Sequence, residues 1–317
     1  SDLGGEWSGA ALLSTETAAK GRRAWAGMWP QLGAPFGFLL ANGLFLIQVT
    51  ALGHTTGDFE DAFMRWGWRI PFFLCALSAC VALYLRRHMK ESDHFKEIDS
   101  SEPSVDTPAR KERAAIPQSA SATRPAWINI LLVIGMVSGV TSAHYTWTSY
   151  VSTYAISHEG MTTQGAYWVT VVAQVAGLIA LPLWGSLSDK IGRKPVIYIC
   201  AVGMAVLQIP LMALIDSRPW TLFVASTVGV IIVAAGGALL SSIMSEVFPT
   251  AQRTHSIGLA YSLSVAVFGG TAPYIYQWFV AHDLAWASGF YVIALCVLTI
   301  ISMYILPETK GVDLRDV

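Results

Sequence analysis

The sequence has little charge. Only 13% of its 317 residues are Asp, Glu, Lys or Arg, whereas an ordinary soluble domain carries roughly 25%. The 20 basic and 21 acidic residues nearly cancel, which leaves a formal net charge of −1. This balance argues against the strongly basic proteins that bind nucleic acid through their overall charge. We therefore expect no nucleic-acid partner.

The sequence is also poor in the groups that carry enzymatic and redox chemistry. Its four cysteines, Cys75, Cys80, Cys200 and Cys296, lie inside apolar stretches and lack the spacing of a metal or redox site. No Gly-x-x-x-x-Gly-Lys-Ser/Thr loop occurs, which argues against a nucleotide-driven machine. We find no catalytic His/Asp cluster in the apolar runs. The sequence therefore predicts no metal, no cofactor and no enzyme.

Long apolar runs dominate instead, since hydrophobic residues make up 54% of the chain. A bilayer core is roughly 30 Å thick and needs about 20 apolar residues in a helix. An incomplete run covers residues 1–17, and eight longer runs follow it: 25–51, 68–88, 126–155, 166–188, 196–215, 220–246, 256–281 and 285–306. A soluble fold cannot bury so many, so the sequence predicts an all-α integral membrane protein with many crossings.

Basic residues indicate the orientation of these spans. If the segment after residue 16 is cytoplasmic and the loops alternate, seventeen of the twenty Lys and Arg residues fall on the cytoplasmic side. Only Arg65, Arg69 and Arg218 fall on the other side. The positive-inside rule therefore predicts a multi-pass protein of the inner (plasma) membrane with residues 89–124 and the C-terminus in the cytoplasm.

Residues 89–124 divide the chain. They are polar and rich in Ser, Pro and both charges, so they cannot bury enough apolar area to fold alone and are interpreted as a flexible cytoplasmic linker. Residues 1–88 then form an incomplete N-terminal bundle with a partial span at 1–17 and spans at 25–51 and 68–88. Residues 125–306 form a six-helix C-terminal bundle, and residues 307–317 form a cytoplasmic tail.

A weak internal repeat relates the two bundles. The stretches "GGEWSGAALLSTETAAKGRR" (4–23) and "GGALLSSIMSEVFPTAQR" (236–253) each contain a glycine pair, an apolar stretch, a Glu, and an Arg seven residues after that Glu. If the halves are parallel repeats, roughly a hundred residues, about three spans, are expected upstream of residue 1. The repeat thus predicts about nine of the twelve helices of a molecule built from two six-span bundles.

The strongest motif is "GSLSDKIGRKP" at 185–195, between two spans on the predicted cytoplasmic side. Its Gly-x-x-x-Asp-Lys/Arg-x-Gly-Arg-Arg/Lys pattern is supplied by Gly185, Asp189, Lys190, Gly192, Arg193 and Lys194. Gly185 permits close approach of a neighbouring helix and Gly192 permits a tight turn. Asp189 can meet the positive end of a neighbouring helix, while the cations face the cytoplasm. Such a cluster can act as a two-state latch.

This motif resembles the inter-helix loop of the major facilitator superfamily. The stretches "GGEW" (4–7), "MWPQLGAPFG" (28–37), "WGWRIPF" (66–72) and "LPETKG" (306–311) narrow the resemblance to the metabolite:proton symporter group, which includes shikimate, citrate, α-ketoglutarate and proline/betaine carriers. The resemblance implies a major facilitator-type two-bundle helical transporter that lacks its first three helices, works as a monomer, and moves a small metabolite with a proton across the lipid bilayer.

Glu6 is the candidate for proton coupling. It precedes Glu16 by ten residues, about 15 Å along a helix, which places it near mid-membrane. An ionised carboxylate is costly at that depth, and such residues are often functional. The alternative is a carboxylate that is paired within the bundle and fixes its packing.

The candidates for a substrate cavity are the polar groups inside the spans. His144, Tyr145 and Thr148 share one helical face with Thr141, although His144 equally suits a hydrogen-bonded position near the outer interface. Gln31 lies between Pro30 and Pro35, where freed backbone groups suit a binding site. Gln174 and Tyr274 complete the set. With Asn42, Gln48 and Gln208, these polar groups also suit interhelical hydrogen bonds.

Two charged clusters at the predicted inner edge are candidates for a cytoplasmic gate, as the resemblance implies. They contain Glu16, Arg22 and Arg23 in one half and Glu246 and Arg253 in the other. Exposed ion pairs contribute roughly 0–1 kcal/mol each, which suits a gate that must open and equally suits a solvated face.

The sequence thus predicts a secondary active transporter, with proton-coupled symport of a small organic acid or related metabolite by alternating access. The alternatives are a membrane receptor or scaffold without flux, or an inactive fragment of a transporter.

Overall fold

The computed structural model describes residues 3–18, 21–56, 63–88, 125–248, 253–282 and 284–310. Within these ranges all regular secondary structure is helical. The α-helices are α1 (Leu3–Glu16), α2 (Arg23–Gly27), α3 (Gly33–Thr56), α4 (Arg69–His88), α5 (Ala126–Tyr145), α6 (Val151–Ser157), α7 (Thr163–Ile191), α8 (Arg193–Leu214), α9 (Pro219–Gly237), α10 (Leu240–Val247), α11 (Arg253–Ser264), α12 (Ala272–Ala281) and α13 (Ser288–Ile305).

Shorter helical turns connect several of these elements. Two 3₁₀ turns cover Pro30–Leu32 and Ala285–Ala287. Three π-helical turns cover Phe63–Gly67, Thr146–Tyr150 and Val265–Gly269. Such π turns are rare and are often found near functional sites. The turn at Thr146–Tyr150 joins α5 to α6 without a break, so the predicted run 126–155 is one continuous helical segment.

Local chemistry explains the boundaries of the longest helix, α7. Thr162 precedes it, and its Oγ1 accepts a hydrogen bond from the Gly165 N–H at 3.3 Å, as expected of an N-cap threonine. The helix ends at Gly192, whose φ of +108° is a conformation that only glycine adopts readily. The next helix, α8, begins at Arg193, so Gly192 makes the tight turn that the motif predicts.

Six helical segments among the described residues are long and apolar enough to cross a membrane. They are Arg23–Ala51, Trp127–Ser157, Thr163–Ile191, Arg193–Leu214, Pro219–Val247 and Ser288–Ile305. They match six of the eight apolar runs. The other two runs also form helix, but 68–88 is α4, and 256–281 is divided into α11 and α12 by a π turn and a break at Gly270–Thr271.

The chain divides into two compact units, residues 1–46 with 118–317, and residues 47–117. In the first unit, α7 packs on α9, α5 on α13, and α8 on both α9 and α13. The short helix α2 packs against α7, and α1 packs against α11. Its core comprises two clusters of buried side chains, one around Met136, Ile197 and Met244, the other around Trp147 and Tyr276.

The second unit contains the end of α3, the first π turn and α4. Within it the Gln48 Nε2 donates a hydrogen bond to the Gly67 carbonyl at 3.0 Å, so Gln48 connects two helical segments. On α4, Phe72, Phe73 and Leu77 are exposed, which is ordinary for a helix that faces lipid. The linker assigned to 89–124 lies outside the described residues, so the division of the chain into bundles at that segment stays a prediction.

Candidate functional site

A cavity of about 90 Å³ lies inside the first unit. Five segments of the chain contribute to its wall: the 3₁₀ turn with α3, the end of α5 with its π turn, α7, α9 with α10, and α11. The volume is enough for a few water molecules and is below the roughly 300–1,000 Å³ of an occupied small-molecule pocket. The cavity is therefore small in this conformation.

Five of the six predicted cavity residues line this cavity, namely Gln31, His144, Tyr145, Thr148 and Gln174. Thr141, which shares their helical face, also lines it. The remainder of the wall is mostly apolar, with Pro35, Val140, Leu181 and Val233 among its members. A largely apolar wall with a few convergent polar groups is the usual composition of a small-molecule site.

The prediction that Tyr274 faces the cavity is wrong. Tyr274 is 74% exposed, whereas Tyr276 is fully buried. The two residues lie on opposite faces of α12 because residues two apart in a helix are about 200° apart around its axis. The break at Gly270–Thr271 resets the helical phase, and the sequence pattern of the long run 256–281 does not reveal that reset.

Two aromatic residues of the cavity were not predicted, Phe38 and Tyr261. The Phe38 ring meets the rings of His144 and Tyr145 edge-on, with centroids 5.7 and 5.9 Å away. Tyr261 stacks on Trp7 of α1, with ring centroids 3.8 Å apart and planes 9° apart. Both lie in apolar stretches, so composition does not distinguish them from core aromatics. A signal that could have found them is an aromatic ring that lies opposite a polar helical face.

Gln174 is the most unusual residue of the wall. It is only 1% exposed, and neither its Oε1 nor its Nε2 has a hydrogen-bond partner among the described residues. The Nε2 of Gln31 is likewise buried and unpartnered there. A buried amide left unsatisfied costs about 1–3 kcal/mol. Both amides line the cavity, so their donors and acceptors are available to water or to a bound molecule.

Gln208 provides a contrast within the same unit. It is fully buried, and its Oε1 accepts a hydrogen bond from the Trp147 indole at 2.9 Å while its Nε2 donates to the Tyr276 hydroxyl at 2.9 Å. This glutamine joins three helical segments and does not line the cavity, which fits the alternative role of interhelical hydrogen bonding.

His144 is the one His, Lys, Arg, Asp or Glu among the described residues that line the cavity. Its backbone carbonyl accepts a hydrogen bond from the Thr148 Oγ1 at 2.6 Å. Within the described part of the chain, no hydrogen bond involves its ring nitrogens. The imidazole can therefore exchange a proton or bond to a ligand without first breaking a hydrogen bond to a described residue. Glu6 falls in α1, but its side chain lies outside the described residues.

The loop motif forms a network of charges at one end of the unit. The Asp189 carboxylate accepts hydrogen bonds from the backbone N–H groups of Ala24 at 3.1 Å and Trp25 at 3.0 Å. It also accepts one from the Arg193 Nη1 at 2.9 Å. Asp189 therefore meets the first turn of α2, as the motif predicts. Gly185 allows this approach, because a Cβ there would lie 3.2 Å from the Ala24 carbonyl oxygen.

Arg193 departs from the expectation that the motif's cations face outward. Its side chain is 3% exposed and points into the unit, where it pairs with Glu246, whose side chain is fully buried. The Arg193 Nη2 lies 3.0 Å from the Glu246 Oε1, and its Nε lies 3.3 Å from the Oε2. The buried carboxylate attracts the guanidinium inward, because neither charge is tolerated alone away from water.

The segment after α13 completes the network. The Thr309 Oγ1 donates to the Glu246 Oε2 at 2.6 Å. The Glu308 carboxylate accepts from the backbone N–H groups of Arg193 and Lys194 at 2.9 and 3.0 Å, which caps the start of α8. The Lys310 Nζ donates to the Lys190 carbonyl at 2.5 Å. This contribution of Glu308 and Thr309 was not predicted, although both belong to the "LPETKG" stretch.

The remaining gate candidates pair differently from the sequence grouping. Arg253 does not pair with Glu246 of its own cluster. Its Nη1 lies 3.1 Å from the Glu16 Oε1, and its Nε donates to the Phe248 carbonyl at 2.9 Å. Arg22 is exposed, and Arg23 begins α2. The pair between Glu16 and Arg253 thus connects α1 to α11.

Comparisons with known proteins agree with this architecture. The family model described as "Sugar (and other) transporter" matches residues 2–317. The chain is 30% identical over 98% of its length to the alpha-ketoglutarate permease of Escherichia coli, and 29% identical over 97% to the inner membrane metabolite transport protein YhjE of the same species; it covers 68% of each relative. It is 28% identical over 99% of its length to the glycine betaine/proline/ectoine/pipecolic acid transporter OusA of Dickeya dadantii and covers 61% of it.

Solved structures show the same fold. The proton:xylose symporter XylE of the major facilitator superfamily superposes with a TM-score of 0.69 at 21% identity, over 97% of this chain and 69% of that chain. The recognition of a major facilitator-type helical transporter is therefore confirmed. The family consists of transporters, so family membership also confirms that the chain is not an enzyme. The chain is a multi-pass membrane protein that belongs to the sugar (and other) transporter family.

Proposed function

We propose that this chain is the transporting part of a secondary active carrier that moves a small organic acid or related metabolite together with a proton by alternating access. The observation that carries the proposal is the small cavity, whose wall combines buried amides that have no partner among the described residues with one histidine. Family membership and the names of the relatives, a ketoglutarate permease and a betaine/proline/ectoine transporter among them, support a small metabolite as substrate.

The composition of the wall supports a link between substrate and proton. Among the described residues that line the cavity there is no Lys or Arg, so a carboxylate has only neutral donors unless His144 is protonated. Protonation of His144 provides the positive charge that an organic anion needs in this apolar surrounding. The amide nitrogens of Gln31 and Gln174 then donate hydrogen bonds to the carboxylate. Proton and anion thus favour each other's binding.

Glu6 remains the second candidate for proton coupling. It belongs to α1, one residue before Trp7, which stacks on the cavity residue Tyr261. A carboxylate near mid-membrane that accepts a proton neutralises its own charge, which lowers the cost of moving it through the bilayer region. In this version of the proposal Glu6 carries the coupled proton and His144 contacts the substrate.

The charge network supports the gate of the proposed cycle. Asp189 joins α7 to α2, and the pair of Glu16 with Arg253 joins α1 to α11 in the present conformation. The pair of Arg193 with Glu246 joins α8 to α10. We assign Gly185 to the close contact, Gly192 to the turn, and Arg22, Arg23, Lys190 and Lys194 to the basic face of the gate. Rocking of one group of helices against the other requires the contacts between them to break.

The proposal also includes the location of the chain. The bias of basic residues supports an inner membrane protein with residues 89–124 and the C-terminus in the cytoplasm, and we propose that it acts as a monomer. Reporter fusions at residue 100 and after residue 317 test the orientation, since both must report from the cytoplasmic side.

The decisive experiment is uptake into proteoliposomes. The purified chain is reconstituted, and an inwardly directed proton gradient is imposed, with the acidic side outside. Accumulation of radiolabelled organic acids and betaines is then measured with and without a protonophore. We expect accumulation that the protonophore abolishes. Absence of accumulation for every compound contradicts transport by this chain and favours the alternative of a receptor, scaffold or inactive fragment.

Two variants separate the proton-coupling candidates. If Glu6 carries the proton, Glu6→Gln transports without dependence on pH, while His144→Gln weakens apparent affinity. If His144 carries it, His144→Gln both loses the dependence on pH and weakens apparent affinity, while Glu6→Gln leaves both unchanged. Unchanged pH dependence and unchanged affinity in both variants remove both residues from the mechanism.

A further inference from the structure

A second cavity, of about 480 Å³, opens at the end of the unit that holds the loop motif. It is lined by Gly21, Arg22, Trp25, Ser186, Asp189 and Lys190. The first three come from the start of α2 and the residues before it, and the other three come from the last turns of α7. It is therefore a cleft between the same two elements that Asp189 joins by its hydrogen bonds to α2.

The lining has an excess of positive charge, with two cations against one carboxylate. The carboxylate, Asp189, is fully engaged by two backbone N–H groups and by Arg193. Arg22 and Lys190 are both exposed, and neither forms an ion pair with a described residue. An anion that enters this cleft meets a guanidinium and an ammonium, and the one carboxylate that lines the cleft is already hydrogen-bonded to α2 and Arg193.

The cleft has exposed tryptophans, which are typical of the membrane–water interface. Trp25 lines it and is 39% exposed, and Trp29, which meets it edge-on with ring centroids 5.5 Å apart, is also exposed. Exposed tryptophans in a membrane protein concentrate at the membrane–water interface. Basic pockets between helices at that level suit phosphate-bearing headgroups, and the arginine fork suits phosphate oxygens in particular.

We propose that Arg22 and Lys190 bind a phosphate group in this cleft, with Ser186 at its wall as a further hydrogen-bond donor. The phosphate comes either from an anionic phospholipid or from a soluble phosphate compound. Because Arg22 precedes α2 and Lys190 ends α7, a phosphate held by both residues joins these elements. It therefore stabilises the contact that Asp189 makes and favours the conformation described above.

The test uses the purified full chain in detergent. Native mass spectrometry measures the retention of phosphatidylglycerol against phosphatidylcholine for the wild type, Arg22→Gln, Lys190→Gln and the double variant. The matched control is Lys194→Gln, since Lys194 is a partly exposed cation of the same loop that does not line the cleft. A second arm measures the thermal midpoint as inorganic phosphate is added without lipid. All variants are compared with the wild type by circular dichroism to establish that they fold.

We expect wild type to prefer phosphatidylglycerol, with apparent affinity reduced about fivefold by each single substitution and about 25-fold by the double, and unchanged by Lys194→Gln. If inorganic phosphate raises the thermal midpoint of the wild type but not of the double variant, and no lipid is preferred, the site is supported with a soluble phosphate compound as its ligand. Equal retention in wild type and double variant, together with no phosphate-dependent rise, overturns the proposal. An equal loss in Lys194→Gln also overturns it, because the attraction is then diffuse.

Discussion

Two buried glutamines, one with a hydrogen-bonded side chain and one without, provide the sharpest test of the cavity. Gln174 is 1% exposed and neither amide atom is partnered among the described residues, whereas Gln208 is fully buried and hydrogen-bonded through both atoms. The perturbation is the same at each position, namely replacement by leucine. Leucine has a similar volume and no polar atoms, so packing changes little and the difference between the variants reports on hydrogen bonding.

The structure predicts opposite effects on stability. Gln208→Leu removes two interhelical hydrogen bonds, worth about 0.6–1.7 kcal/mol each in membrane proteins, and takes the Gln208 acceptor away from the Trp147 indole, for a loss of about 1–3 kcal/mol. Gln174→Leu removes an amide that costs about 1–3 kcal/mol when unsatisfied, reduced by whatever hydration the cavity provides. We therefore expect Gln174→Leu to be neutral or stabilising in the free protein.

The assay is thermal unfolding in detergent, followed by ligand-dependent stabilisation. One kcal/mol corresponds to roughly 2–4 °C in domains of 150–250 residues, so Gln208→Leu should lower the midpoint by several degrees. Gln174→Leu should keep or raise the midpoint yet lose uptake and the stabilisation by any transported compound. If the thermal midpoint falls equally in both variants, the Gln174 amide is hydrogen-bonded in the free protein, and the reasoning from its unsatisfied amide is refuted.

Two further predictions concern charges outside the cavity. Glu246→Ala leaves the buried Arg193 with Asp189 as its remaining acidic partner and should lower the free energy of unfolding by about 3–5 kcal/mol. The double variant Arg193→Met/Glu246→Leu should be less destabilised than either single substitution. A measured loss below about 1 kcal/mol for Glu246→Ala contradicts a buried pair. Asp216, in the loop between α8 and α9, accepts hydrogen bonds from the Arg218 side chain and backbone, which lower its pKa to about 2. Any stability from this depressed pKa is present above the ordinary carboxyl pKa and is lost as pH falls through about 2. The difference in thermal midpoint between Asp216→Asn and the wild type should therefore be constant between pH 5 and pH 8. A difference that grows across that range contradicts the assignment.

The parts of the site that were predicted from sequence are those set by local chemistry. The turn at Gly192, the close contact at Gly185 and the meeting of Asp189 with a helix start all follow from residue types at short spacing. The polar face around His144 follows from helical periodicity, which is reliable within one uninterrupted helix. Gln174 was identified because an amide in an apolar run is unusual wherever it points.

The parts that were not predicted depend on long-range packing or on helix phase. Arg193 pairs with Glu246, 53 residues away, and no local pattern indicates that the side chain points inward. Glu16 pairs with Arg253 of the other cluster because α1 packs on α11. Tyr274 was misplaced because a polar residue type inside an apolar run does not show which face of the helix it occupies. Tyr261 was missed because its role depends on its stacking against Trp7 of another helix.

The uneven strength of the charge network indicates where the proposed gate opens. The pair between Arg193 and Glu246 and the bond from Thr309 are buried and lie among α8, α10 and the segment after α13. By contrast, Asp189 contacts α2 through the backbone N–H groups of Ala24 and Trp25. The buried Arg253 contacts α1 through Glu16, whose side chain is 48% exposed.

Breaking the pair between Arg193 and Glu246 leaves a buried charge without its partner, at a cost of about 3–5 kcal/mol. The second set consists of charge-assisted hydrogen bonds of about 1.5–3 kcal/mol each and an ion pair whose carboxylate is half exposed. When that pair opens, the buried Arg253 keeps its hydrogen bond to the Phe248 carbonyl. A differential affinity of about 5.5 kcal/mol shifts a two-state equilibrium from 1:99 to 99:1, so contacts of the second kind are within reach of substrate and proton binding. We infer that α1 and α2 separate from α7 and α11 while the buried pair stays intact, and cross-linking of α2 to α7 should therefore block uptake without unfolding the chain.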